Sequence, residues 1–364
     1  MEGTKLNCSE CGCILHAGAV HYMEGEAYCT DCLDELTILC AECGTRIFQD
    51  DNEGNNDTPL CSRCYEQYYN NCDGCGRLIL REDEYYDDVE DRTLCSHCMK
   101  HGAIFDYSYK PNPIFYGTGS NLYIGVELEL DDGYSQNESA KKLREIANEK
   151  ADHIYIKRDG SLDNGFEIVT HPMTLQYHIE EMPWKEVMEK ALRMGYRSHK
   201  ATTCGLHCHV NRTAFGETYE KQEENISKVL FLVEKYWEEL LRFSRRTQGQ
   251  MNRWAARYGF KEQPDQVMDR AKKSGLGRYA CVNLQNYNTI EFRMWRGTLK
   301  YNTLIATLQM VEKLCRIAIL FSAEEIQNMS WWRFVSGIEE RELITYLKER
   351  QLYINAPVEM EEEV

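Results

Sequence analysis

Residues 123–130, YIGVELEL, alternate strictly: Val126, Leu128 and Leu130 point one way, and Gly125, Glu127 and Glu129 point the other. A period of two predicts a half-buried strand. The same period returns at residues 204–211 (CGLHCHVN), where His207, His209 and Asn211 oppose Leu206, Cys208 and Val210. It returns again at 289–296 (TIEFRMWR), with Glu291, Arg293 and Trp295 opposite Ile290, Phe292 and Met294. A fourth candidate, GFEIVTHP, sets Glu167 between Phe166 and Ile168. Alternation alone requires only an antiparallel sheet with one wet face. Here, however, every wet face carries a metal-binding or charged side chain. Carboxylates and imidazoles gathered on one face repel unless cations sit among them, and oxygen-rich sites of this kind suit Mg²⁺ or Mn²⁺.

Between these strands the period lengthens. Residues 135–150 carry Ala140, Leu143, Ile146 and Ala147 at helical spacing. Further helices are predicted at 182–194, 226–243, 303–321 and 339–350, the last two amphipathic and suited to cover the apolar side of the sheet. The KRDGSL stretch predicts a strand ending in an Asp-Gly turn, with Glu167 on the return strand and Asp159 at the same mouth. YACVNLQN predicts another strand, with Arg278 directly before it at the sheet edge. Strands with helices on one face make an α+β domain. Upstream, residues 106–120 turn to Tyr, Pro, Asn and Gly and read as a linker or wrapping segment.

Charge and cysteine content divide the chain. Residues 1–101 hold 7 Lys and Arg against 21 Asp and Glu, a net of -14, which leaves -3 for the remainder of the chain's -17. Thirteen of the 17 cysteines lie there, twelve of them in six Cys-x-x-Cys pairs: Cys8/Cys11, Cys29/Cys32, Cys40/Cys43, Cys61/Cys64, Cys72/Cys75 and Cys95/Cys98. The first, third and fifth pairs recur every 32 residues and each is followed by glycine. This grammar predicts three tandem four-cysteine zinc modules at about 5–34, 37–66 and 69–100, holding about three structural Zn²⁺ within an N-terminal domain of 1–105. Pairing within each repeat is expected, with a cross-braced arrangement as the alternative. Cys13 has no partner. The knuckle spacing resembles LIM-like or treble-clef zinc ribbons. Their negative charge repels a phosphate backbone, so a protein-docking or substrate-presenting role is expected in preference to nucleic-acid binding.

A basic stretch follows inside the second domain, 121–364, with Arg245, Arg246, Arg253, Arg257, Arg270, Lys272, Lys273 and Arg278. It is either a solvated helix face or a seat for an anion. No window approaches 18 apolar residues, and the amino terminus MEGTKLNCSE lacks the basic and apolar regions of a signal peptide. The expectation is a soluble, cytoplasmic protein with reduced cysteines and no membrane partner.

Residues from 123 to about 321 resemble the amidoligase family of the carboxylate-amine ligase superfamily, related to glutamine synthetase and glutamate-cysteine ligase. The resemblance rests on Gly-x-Glu-x-Glu (Gly125, Glu127, Glu129), Asp-Gly-Ser with Phe-Glu-Ile-Val-Thr (Asp159, Gly160, Ser161, Glu167), Gly-Leu-His-x-His (Gly205, His207, His209) and Thr-x-Glu-Phe-Arg (Thr289, Glu291, Arg293). It implies an antiparallel sheet with a concave metal-nucleotide face and helices on the other side. It implies Mg²⁺ roles for Glu127, Glu129, Glu167, His207 and Glu291, phosphate or acyl-phosphate contacts for Arg278 and Arg293, and cofactor contact for His209. Asp159 or a sheet glutamate is expected to serve as general base. The implied reaction is ATP-dependent joining of a carboxylate and an amine, on small molecules, peptides or proteins, through an acyl phosphate. No GxxxxGK[ST] loop is present to hold ATP by another route. The competing expectation is a non-catalytic zinc-based adaptor whose ligase-like domain binds nucleotide or peptide.

Overall fold

The computed structural model describes residues 6–16, 18–87, 91–101, 103–133, 137–201 and 203–353. The predicted helix start at 135 and 136, and residue 5 at the edge of the first module, lie outside them. The chain divides into two compact units, Met1–Gly102 and Ala103–Val364.

The first unit repeats one plan three times. The first copy has a knuckle closed by the Asn7–Ile14 bridge, a hairpin of β1 (His21–Met23) and β2 (Glu26–Tyr28), and a helix, Thr30–Leu36. In the second, β3 (Thr37–Leu39) and β4 (Arg46–Phe48) flank the knuckle, and the helix is Ser62–Tyr68. The third sets β5 (Tyr69–Asn71) and β6 (Leu78–Leu80) around its knuckle, then β7 (Tyr85–Asp87), β8 (Arg92–Leu94) and the helix Ser96–His101. The glycine after each knuckle has a reason: Gly12, Gly44 and Gly76 adopt φ of +73°, +71° and +70°, a left-handed turn that side chains resist.

The second unit is built on a six-stranded antiparallel sheet in the order β10-β11-β9-β12-β14-β13, formed by β9 (Ile124–Leu130), β10 (Ile154–Lys157), β11 (Phe166–Thr170), β12 (Gly205–Asn211), β13 (Val282–Asn283) and β14 (Thr289–Arg296). Val126, Leu128, Leu206, Cys208, Val210 and Phe292 are fully buried and share one core with Leu304, Ile305 and Leu308 of the helix Tyr301–Leu320. The opposite face is polar. Over it, Arg278 donates to the Tyr107 hydroxyl at 2.8 Å, joining segments beside the two outermost strands, which a flat six-stranded sheet would hold about 24 Å apart. The polar face is thereby bridged from edge to edge.

Residues 103–120 belong to this second unit and run along it: Phe105 bridges Lys157, and Tyr116 bridges Met173. The apolar run predicted as one helix over 226–243 is two, Tyr219–Lys235 and Trp237–Ser244. The backbone breaks at Tyr236, whose ring packs on Trp331 and Phe334 and whose hydroxyl donates to the Met329 carbonyl. Both helices bury one continuous apolar stripe, so the hydrophobic pattern runs through the break. Among the described residues no helix is long and apolar enough to cross a membrane.

Candidate metal and active sites

The four cysteines of each repeat converge, Cys8/Cys11/Cys29/Cys32, Cys40/Cys43/Cys61/Cys64 and Cys72/Cys75/Cys95/Cys98, so the arrangement is sequential within each repeat. Sγ–Sγ separations of 3.9 Å (Cys11–Cys29), 3.8 Å (Cys43–Cys61) and 3.8 Å (Cys75–Cys95) match the edge of a tetrahedron with Zn–S bonds of about 2.3 Å. Each group holds at least one thiol lowered (Cys8, Cys43 and Cys95 among them) beside others that burial and neighbouring sulfurs raise, such as Cys32, Cys64 and Cys98. The main-chain N–H of Cys11 leads the effects that hold Cys8 at about 6, and the Thr45 hydroxyl leads those that hold Cys43 at about 6. Cys29 caps the N-terminus of its helix and accepts from the Cys32 N–H. The three groups could bind about three zinc ions. Cys13 is exposed and stands outside them.

On the polar face of the sheet, the register lays down three cross-strand rows. The first reads Lys157, Glu167, Glu129, then Gly205 opposite Arg296. The second sets Glu127 opposite His207, and the third sets His209 opposite Glu291 and Glu291 opposite Asn283. Two ligand groups result. Glu127, His207 and Glu291 place ligand atoms within 4.8 Å of one another, and so do Glu129, Asp159 and Glu167. His207 links them, its Nδ1 3.3 Å from Glu127 and 3.7 Å from Glu291, and its Nε2 3.8 Å from Glu129.

Electrostatics split the carboxylates by environment. Burial pushes Glu127 up, but the charge of His209 and hydrogen bonds from both histidines outweigh it and hold Glu127 well below the usual range. Glu291 is lowered in the same way, burial being overcome by His209, His207 and Arg293. In the other group burial wins: Glu129 is raised, and Glu167 is pushed up to about 8 by burial and the charge of Glu127, against the pull of Lys157. His209 is raised to about 9, because the Glu127 carboxylate outweighs its burial. It therefore stands beside Glu127 as a cation. Its Nε2 makes an ion-pair contact with Glu127 at 3.3 Å, and Nε of Arg293 is buried without a hydrogen-bond partner. Five carboxylates and one bridging imidazole form a donor set that fits hard divalent cations.

Arg293 pairs with Glu291, which also accepts from Asn283 at 2.8 Å and Asn286 at 3.3 Å. Arg278 is exposed and hydrogen-bonded to Tyr107 and Tyr279 rather than to the carboxylates. Trp295 departs from the strict alternation. The ladder shifts by one between Leu206 and Cys208, so Trp295 faces Leu206 on the core side, packs on Phe243, and leaves Arg296 in the polar row. The β-bulge that does this spans Arg293 and Met294 on β14. The sequence reading passed over three members of the site: Lys157, whose Nζ lies 3.0 Å from Glu167, Asn283, and Arg246, half-buried beside Glu129. Lys157 had a signal, since the Ile154–Lys157 strand alternates and Lys157 falls opposite Ile156.

The basic stretch is partly spent inside the fold. Arg257 pairs with Glu234, Lys272 with Glu223 and Lys273 with Asp269, while Arg270 donates to the Tyr258 carbonyl. No curated protein matches the chain. A family model described as "Putative amidoligase enzyme" matches residues 125–315, just over half of the chain, and spans both ligand groups with every strand that carries them. The chain belongs to this amidoligase family, and its second unit is a ligase-type domain.

Proposed function

We propose that the protein is an ATP-dependent ligase that forms an amide or isopeptide bond between a carboxylate and an amine. The observation that carries this reading is the pair of ligand groups joined through His207 on one sheet face. A carboxylate is a poor acyl donor because its leaving group would be oxide, so it must first receive a phosphoryl group. Glu127, Glu291 and His207 would hold one Mg²⁺ and Glu129, Asp159 and Glu167 a second, which when bound would offset phosphate charge. Arg293 supplies a guanidinium for the transferring phosphoryl group, and the His209 cation adds to it. Arg278, at the rim with Tyr107, suits the outer phosphates. The amine then attacks the acyl carbon of the acyl phosphate, forming the C–N bond and expelling inorganic phosphate. Asp159, less enclosed than its group partners Glu129 and Glu167, takes the proton released by the ammonium form of the amine. The acidic zinc modules dock a protein partner or present a substrate.

The test is incubation with Mg-ATP and pooled amines and carboxylates, following phosphate release and products lighter than their parents by one water. Amine-dependent phosphate release is expected. Binding of Mg-ATP without turnover of any pool would favour the adaptor instead.

A further inference from the structure

Beside the carboxylates lies a cavity of about 480 Å³ lined by His199, Arg242, Arg245, Arg246, Arg296 and Arg350, with Glu238 as its one acidic residue. Five guanidinium groups against one carboxylate repel one another. In a structural network each would be cancelled by an acidic partner. Among the described residues none of the five forms a salt bridge. Their holders are neutral: Arg350 donates twice to the Arg242 carbonyl, Arg246 twice to the Trp295 carbonyl, and Arg296 to the Arg245 carbonyl. Arg245 itself lies over the Tyr346 ring. Glu129 lies near Arg246 and Glu349 near Arg245, yet five guanidinium groups outnumber these carboxylates, and main-chain acceptors that fix a guanidinium's direction without cancelling its charge suit bidentate capture of an anion.

The cavity adjoins the carboxylate row through Arg246 and Arg296. Glu129, Gly205 and Arg296 share that row, and Gly205 is the thin wall between them. A Cβ on Gly205 would stand 2.6 Å from Arg246, 2.8 Å from His207 and 3.4 Å from Glu129, so glycine is what lets the cavity's Arg246 pack directly against the carboxylate row. The β-bulge on β14 is what turns Arg296 toward it.

We propose that this arginine pocket binds the acidic end of the substrate, a ligand with two or more carboxylates such as a glutamate-rich peptide, while its reacting carboxylate lies across Gly205 at the Glu129 row. The assignment of a reacting carboxylate rests on the ligase reading; the binding itself does not. A peptide of this class answers both features at once, since it offers several carboxylates spaced along one flexible chain. Arg242 is exposed and Arg350 half-buried, and Arg350 lies beyond the family match, so the pocket adds selectivity to the ligand groups within that match.

Triglutamate titrated calorimetrically into the full chain, without nucleotide or added divalent cation, tests this. Saturable binding is expected, weakening as salt is raised, and Arg242→Gln and Arg350→Gln should each weaken it by about tenfold. Both residues are incompletely buried, so the variants should keep the fold, which thermal melting checks. No binding, binding unchanged in both variants, or binding of inorganic tripolyphosphate but not triglutamate would each overturn the assignment. Triglutamate binding together with no amine-dependent phosphate release would leave the pocket standing and remove the ligase reading.

Discussion

Lys157 holds Glu167 at 3.0 Å inside the sheet face, with both side chains under one-tenth exposed. Glu167 in turn faces Glu129 across the ladder, so the ammonium group is the cation that offsets this row when no metal is bound. Lys157→Met keeps the length of the side chain and removes the charge. Above about pH 8, where Glu167 is ionised, breaking this buried pair costs about 3 kcal/mol, which for a domain of this size lowers Tm by roughly 5–10 °C in chelator. Added Mg²⁺ or Mn²⁺ should recover much of that loss, because a divalent ion replaces the missing positive charge. Equal losses with and without cation would show that Lys157 only fills space.

Protons and cations compete for the same oxygens. Glu167 is pushed up to about 8, so below that pH its carboxyl carries a proton that a cation must displace. The sign follows: apparent Mn²⁺ affinity should rise with pH, by up to about tenfold per unit, and flatten above about pH 8. Calorimetry in buffers of different ionisation enthalpy would read the released proton directly. Glu167→Gln should remove the slope, and a flat profile in the parent would contradict a raised Glu167.

The strands and the ligand residues were legible because a two-residue period separates wet from dry positions without reference to neighbours. That period carried Glu127, Glu129, His207 and Glu291 onto one face, where Glu127, His207 and Glu291 form one candidate ligand group and Glu129 joins the other, 3.8 Å from His207. It misplaced Trp295, because a bulge is a property of a pair of strands and leaves no mark in one of them. Lys157 and Arg246 were readable as charges but not as members of the site, since their roles depend on registers with β11 and on a turn after the helix Trp237–Ser244. The break at Tyr236 was hidden for a related reason. Its aromatic partners Trp331 and Phe334 are nearly a hundred residues away, and no local signal reports them.

The cysteine groups make a separate forecast. Each module has only a small cluster of buried residues around its sulfurs, as in Cys40, Leu60 and Cys64, so metal binding supplies much of its folding energy. Elemental analysis of protein prepared without chelator should find about three zinc ions per chain. Replacing Cys40 and Cys43 by Ser should remove one of them and loosen the middle module, whereas the nucleotide response of the second unit should persist because the two share no ligand. One zinc or none in the parent would sink the module assignment, and loss of Mg-ATP binding in the double variant would tie the two units together.

Glu129 gives the sharpest separation between a catalytic face and an ordinary polar one. It is 4 % exposed, accepts the Gly205 N–H, and stands beside Arg246 and His207. Glu129→Gln preserves the shape and leaves Val126, Leu128 and Leu130 untouched in the core, so the fold should hold. A neutral amide is a much weaker ligand for a hard cation, so activity should fall by about a hundredfold or more and the Mg-ATP-dependent rise in Tm should shrink. Arg293→Lys should also slow turnover, since an ammonium group cannot reproduce a bidentate phosphate contact, but it leaves all five carboxylates in place and should preserve the cation response. If Glu129 were only a buried acid on a sheet, removing its charge would relieve repulsion with Glu167 and raise Tm equally with and without Mg-ATP. Melting curves of the parent and the two variants, each with and without Mg-ATP, decide the matter: equal nucleotide shifts in the parent and in Glu129→Gln would remove this strand from the site.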